Sequence, residues 1–175
     1  MGIKHRVISP SGDESFDASL TPAEIVKTLS YKKASDVVST VLSGLVIGAD
    51  TIVVVDDQVL GKPQDPEHAK RMLRRLQGKQ HSVYTGVTVI DAVSGQHLTD
   101  VANARVSMRT LTSAEIDSYV QTEEPLDKAG AYSIQGLGAV FVDSVSGDFY
   151  AVVGLSLVLA HKLLSAFGYD IFATD

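Results

Sequence analysis

Cysteine is absent from all 175 residues, and that single absence removes disulfides, thiolate metal ligands and a cysteine nucleophile together. A reducing cytoplasm is compatible with it. Positive charge is in deficit: 15 Lys and Arg against 21 Asp and Glu leave a net charge of -6 and a pI near 5.3. Such a field repels a phosphate backbone at long range and argues against polymeric nucleic acid as a partner. A small phosphate ligand is still allowed, because a local lysine cluster or a metal ion overrides the global field at short range. Long hydrophobic runs are missing too. Gly, Asp or Lys breaks each apolar stretch before the roughly 20 residues that a membrane span needs, and Met1-Gly2-Ile3-Lys4-His5-Arg6 leads into no apolar signal core. The expectation is a soluble, cytoplasmic chain without a membrane partner.

Several catalytic fingerprints are absent as well. There is no Walker A motif, and Gly136-Leu137-Gly138 lacks the third glycine of a dinucleotide loop because Phe141 stands there. There is no G-x-S-x-G elbow. His5, His68, His81, His97 and His161 show no zinc-ligand spacing and are read as surface or structural residues. Any chemistry therefore belongs to carboxylates and lysines.

What is present is an ordinary globular composition, 45% hydrophobic and 21% charged, in a chain about the size of one domain. It should fold alone or as a small oligomer such as a homodimer. Thr21-Pro22-Ala23-Glu24 is a capping box with proline at the first helical position, and Ile25, Leu29, Val37 and Val41 continue at helical spacing. Lys33 interrupts that stripe where a leucine is expected; either it snorkels at the edge or it faces a partner that offsets its desolvation. Leu45 to Ala49 is an unbroken apolar run, the pattern of a strand buried on both faces and ended by Asp50-Thr51. Ile52 to Val55, a turn at Asp56-Asp57, and Gln58 to Leu60 form a hairpin, and Asp65-Pro66-Glu67 caps a helix running to Leu76. A strand from Ser82 to Asp91, one or more returning strands from His97 to Arg109, and a capping box at Thr112 follow. Gly138 to Val142 and Tyr150 to Val153 flank a turn at Ser146-Gly147-Asp148, and Leu155 to Phe167 closes the chain as an amphipathic helix. The pattern predicts an α/β fold, a mixed twisted sheet with flanking helices.

Three segments set chemistry-bearing groups beside glycine or proline: Gly48-Ala49-Asp50-Thr51, Leu60-Gly61-Lys62-Pro63, and Asp127-Lys128-Ala129-Gly130-Ala131-Tyr132-Ser133-Ile134-Gln135-Gly136. Each has a bland reading, in which Asp50 caps a turn, Lys62 sits on a hairpin edge and Asp127-Lys128 is a solvated pair. Together with Tyr84-Thr85-Gly86-Val87 they resemble, in order and along essentially the whole chain, the Maf family of nucleotide pyrophosphatases. The Asp-Lys-Ala-Gly-Ala-Tyr-x-Ile-Gln-Gly run is similar to the branch acting on dTTP and UTP.

The resemblance implies a fold related to inosine triphosphate pyrophosphatases, a divalent cation (Mg or Mn), and hydrolysis of a nucleoside triphosphate to the monophosphate and pyrophosphate. By position, Asp50 matches the catalytic carboxylate, Lys33 and Lys62 match lysines of the active-site cleft, and Lys128 and Gln135 match the signature loop, with Thr51 beside them for substrate. Asp13 and Glu14 match an acidic pair that follows the family's opening segment, and carboxylates among Asp13, Glu14 and Asp50 are expected to hold the cation. Residues 1–175 are read as one Maf-like domain whose first family strand, Ser-x-Ser-Pro-Arg-Arg loop and helix are not in the sequence. The rival expectation is a non-catalytic Maf-like protein that binds a nucleotide or a cell-division partner.

Overall fold

Each α-helix among the described residues starts where the chain supplies a cap. In the structure, a computed structural model describing residues 3–12, 15–17 and 19–173, helix α1 (Pro22–Val38) opens with the expected reciprocal box: Glu24 N donates to Thr21 Oγ1 at 3.4 Å, and Thr21 N donates to Glu24 Oε2 at 2.8 Å. Helix α2 (Pro66–Leu76) is capped by Asp65, whose Oδ1 accepts from His68 N at 2.6 Å, and helix α3 (Ser113–Gln121) by a second box at Thr112. Asp148 caps the short helix α4 (Phe149–Val153) and Ser156 caps α5 (Leu157–Ala166). No helix among the described residues is long and apolar enough to cross a membrane.

Strands β1 (Leu45–Val55), β2 (Gln58–Leu60), β3 (Gln80–Asp91), β4 (His97–Met108) and β5 (Val142–Gly147) form one five-stranded antiparallel sheet in the order β2-β1-β3-β4-β5. The fold is thus the expected α/β class, a sheet with flanking helices. Asp56 and Asp57 take φ 48 and 59, the conformation of a two-residue hairpin turn whose twist matches the strands it joins. It sets the β1–β2 register, Val53 opposite Leu60 and Val55 opposite Gln58. The β4–β5 pairing sets Val106 opposite Val145.

Two local expectations are corrected. Asp50 does not end a strand: β1 runs unbroken through Asp50-Thr51 to Val55, and Ile47, expected to be buried, is 40% exposed. A carboxylate in mid-strand is tolerated because it finds a lysine partner, described below. Tyr150 to Val153 belongs to α4, and Ser146-Gly147 closes β5. Asp148 Oδ1 accepts from Tyr150 N and Ala151 N, which turns the following backbone into a helix.

Two compact units are present. The first comprises the residues up to Asp50, Thr85–Ala102, and those from Leu155 on. Here the period-2 alternation of β3 divides the packing. Val87 and Val89 meet Leu159, Leu163 and Leu164 of α5, while Gly86 and Thr88, on the other face, meet α1 through Val26 and Ser30. Hydroxyls on that face satisfy one another, buried Ser30 to buried Thr88 at 3.0 Å and Thr88 to half-buried Thr99 at 2.8 Å. The second unit, Thr51–Tyr84 with Asn103–Gly154, has its own core of Val53, Leu73, Leu76, Val106, Ile116 and Phe141 among others.

Candidate active site

Lys33 donates to Asp50 Oδ1 at 2.6 Å, from side chains only 23% and 10% exposed. The pair follows from how closely α1 lies on the sheet. A Cβ on Gly48 would sit 2.4 Å from Ser30 O and 2.7 Å from Ala34 N, and one on Gly86 would sit 2.2 Å from Val26 O. Both glycines are therefore the seat of the helix, since any side chain there would push its backbone away. Gly48 and Asp50 are two residues apart on one face of β1, and Ser30, Lys33 and Ala34 share one face of α1. Seating the helix on Gly48 thus brings Lys33 onto Asp50. The lysine that breaks the apolar stripe of α1 is explained by this partner, and the glycine of Gly48-Ala49-Asp50-Thr51 by the close approach. Thr51 lies in the same strand, where alternation turns it to the opposite face.

A second group of the expected residues lies in the other unit. Gly61 O accepts from Gly130 N at 3.0 Å, which ties the segment of Lys62 to the loop of Lys128. Lys128 donates to its neighbour Asp127 at 2.7 Å, with side chains 40% and 74% exposed. That donation holds the Asp127 carboxyl below its usual range against a smaller opposing effect of burial, and the charge of Lys62 adds to the lowering. The loop is packed hard: a Cβ on Gly130 (φ +71) would come within 2.9 Å of Val53 Cγ2, and buried Ala131 takes φ 59. Buried Tyr132 shares a 2.8 Å hydrogen bond with His81 Nε2. Gln135 is exposed, its backbone N donating to Ser133 Oγ at 3.3 Å.

The pair Asp13 and Glu14 lies outside the described residues. On either side of it, Ser11 N and Oγ donate to Asp36 of α1, and Ser15 O accepts from Lys32 Nζ at 2.8 Å. Among the described residues no three of His, Cys, Asp and Glu gather where they could hold a metal ion. Asp50 is an oxygen donor of the type that magnesium uses, and magnesium is commonly held by one or two carboxylates together with substrate phosphates.

Three residues that sequence reasoning assigned no part in the site are tied to this loop in the structure: His81, read as surface or structural, Tyr119 and Glu124. Each lies far in sequence from its partner or outside the quoted glycine segments, and no local pattern marks it.

The profile of Maf-like proteins matches residues 1–167. The chain belongs to that family. A Maf-like relative from Dictyoglomus turgidum is 42% identical over 172 residues, covering 98% of this chain and 89% of the relative. One from Moorella thermoacetica is 48% identical over 166 residues, covering 94% and 86%, and one from Desulforamulus reducens is 43% identical over 171 residues, covering 98% and 90%. All three relatives are named dTTP/UTP pyrophosphatase. The Maf-like segments found in the sequence thus coincide with the helix seat, the Lys33–Asp50 pair and the packed loop of the structure.

Proposed function

We propose that this chain is a nucleoside-triphosphate pyrophosphatase that hydrolyses dTTP and UTP, and related non-standard pyrimidine nucleotides, to the monophosphate and pyrophosphate. The observation that carries the reading is the sheltered Lys33–Asp50 pair in a Maf-like segment. Relatives of the same name, 42–48% identical over nearly the whole chain, support the substrate class.

The chemistry is electrostatic. Water attacks the α-phosphorus, a new P–O bond forms, the bond to the β-phosphate oxygen breaks, and pyrophosphate leaves with the anhydride oxygen. Negative charge grows on the equatorial oxygens in the transition state. Asp50 orients the water and takes its proton, and Lys33 and Lys62 bind phosphate oxygens. A triphosphate that draws the Lys33 ammonium towards itself weakens the ion pair and so favours proton uptake by the Asp50 carboxylate. Lys128 and Thr51 contribute to substrate binding, and Gln135 offers both an amide donor and an acceptor to the pyrimidine edge. A divalent cation, Mg or Mn, belongs to the reading, with Asp13, Glu14 and Asp50 as its carboxylates; it would neutralise phosphate charge. The activity is placed in the cytoplasm, acting on the free nucleotide pool as house-cleaning.

The test is phosphorus NMR of dTTP and UTP incubated with the protein and Mg²⁺ or Mn²⁺. Pyrophosphate and the monophosphate in equal amounts are expected. Orthophosphate as the released product would overturn the assignment of the cleaved bond, and tight dTTP binding with no hydrolysis would favour a non-catalytic nucleotide-binding protein.

A further inference from the structure

The Gly136-Leu137-Gly138 motif, which fails as a dinucleotide loop, does bind an anion, and the anion is the protein's own Glu124. Leu137 N donates to Glu124 Oε2 at 2.9 Å, and Gly138 N donates to Oε1 at 3.1 Å. Tyr119 Oη donates to the same Oε1 at 2.9 Å and accepts from Ser133 N at 3.1 Å. Burial pushes the Glu124 carboxyl up, but these donors override it and leave it below its usual value. The two glycines are shaped to the clamp. A Cβ on Gly136 would lie 2.4 Å from Glu124 Oε2, and one on Gly138 would lie 2.6 Å from Tyr119 Oη.

This carboxylate and this phenol therefore hold the loop at Ser133, Leu137 and Gly138, and exposed Gln135 is the residue between. We propose that Glu124, with Tyr119, is a positioning residue that fixes the Gln135 segment and so sets which pyrimidine base the site accepts. The proposal rests on the pyrophosphatase reading above. Uracil and thymine present a carbonyl acceptor at C4 beside an N3–H donor, whereas cytosine presents an amino donor beside an N3 acceptor. A glutamine amide complements either pattern after a half-turn, so it discriminates only when its backbone and orientation are held. A site built to pair with one pattern rejects the other because buried polar groups are left unpaired.

The experiment compares kcat and KM for dTTP and dCTP in the full chain, Glu124→Gln and Gly136→Ala, with thermal midpoints and amide hydrogen exchange measured alongside. Glu124→Gln removes the charge-assisted acceptor and turns an NH₂ towards donors. Gly136→Ala displaces the carboxylate end of the Glu124 side chain, which opens the clamp without altering Glu124. In both variants the amides of Ser133, Leu137 and Gly138 are expected to exchange faster. The dTTP KM should rise about tenfold while kcat falls no more than about threefold, and the dTTP-over-dCTP preference in kcat/KM should shrink at least about tenfold. An unchanged dTTP-over-dCTP preference with faster exchange would overturn the positioning role. So would a parallel loss of kcat on both nucleotides that tracks a fall in thermal midpoint, the signature of a merely structural contact. Absence of pyrophosphate release from either nucleotide by the unmodified chain would instead overturn the functional reading and this inference with it, a result distinct from both.

Discussion

The Lys33 ammonium reaches the Asp50 carboxylate, 17 positions along the chain, because no side chain separates α1 from the sheet at Gly48. The carboxylate is only 10% exposed, so the pair is held away from bulk water, where Coulomb attraction is stronger than at a surface. Asp50→Asn keeps the shape and removes the base. Pyrophosphate release from dTTP is expected to fall at least about 100-fold, with the far-ultraviolet circular dichroism unchanged. Parental activity in the variant would end the catalytic assignment.

The same pair predicts a stability coupling. Lys33→Met removes the Lys33 ammonium from beside Asp50 in a sheltered place, at a cost of roughly 1–3 kcal/mol, above the 0–1 typical of exposed pairs and below the figure for fully buried ones. The double variant Lys33→Met/Asp50→Asn should be more stable than the sum of the two single losses. Urea unfolding of the four proteins measures the coupling, and strict additivity would show that the ion pair contributes nothing.

The helix seat can be broken directly. Gly48→Ala places a methyl 2.4 Å from the Ser30 carbonyl oxygen and 2.7 Å from Ala34 N, both backbone atoms of a rigid helix. A loss of roughly 3 kcal/mol is expected, together with loss of activity as Lys33 moves off Asp50. Gly61→Ala, where the added carbon meets nothing within 4 Å among the described residues, should change stability by less than about 0.5 kcal/mol. Equal thermal midpoints for the two variants would contradict this packing.

His81 predicts a pH dependence. Burial lowers its pKa from 6.5 to about 4, and Nδ1 has no hydrogen-bond partner among the described residues. The unfolded chain therefore binds a proton that the folded chain refuses between those two values. Stability is full above pH 6.5 and declines as pH falls towards about 4, by on the order of 3 kcal/mol. Glu115 acts lower, because donation first from Arg109 and then from the Thr112 cap holds its carboxyl at about 2. Its contribution declines only as pH falls from its ordinary 4.5 towards 2. His81→Gln can still bond to Tyr132 but does not titrate, so its unfolding free energy should be flatter between pH 6.5 and 4.5. An unchanged slope would show that His81 is not the group responsible.

Chelation gives a last prediction. Dialysis against EDTA should lower pyrophosphate release more than about 100-fold, with recovery on adding Mg²⁺ or Mn²⁺. Full activity in EDTA would remove the cation from the mechanism.

Much of the architecture was legible in the chain because it is decided locally. Thr21 and Thr112 announce helices through side chains three residues from their partners, Asp56-Asp57 announces a hairpin as a polar turn between two apolar runs, and the apolar spacing of α2 and α3 marks their buried faces. The glycine-flanked segments carried the family for the same reason, as short strings with fixed order. Tertiary structure decided the rest. Asp50 stands in the middle of a strand because a lysine from another element supports it, and that partner cannot be read from the periodicity of either element. Gly48 and Gly86 are glycines because a helix backbone rests on them, and Gly136 because a carboxylate from residue 124 lies against it. Strand order, and the clamp of Tyr119 and Glu124 around the Gln135 loop, likewise arise from contacts between elements, which local propensity does not encode.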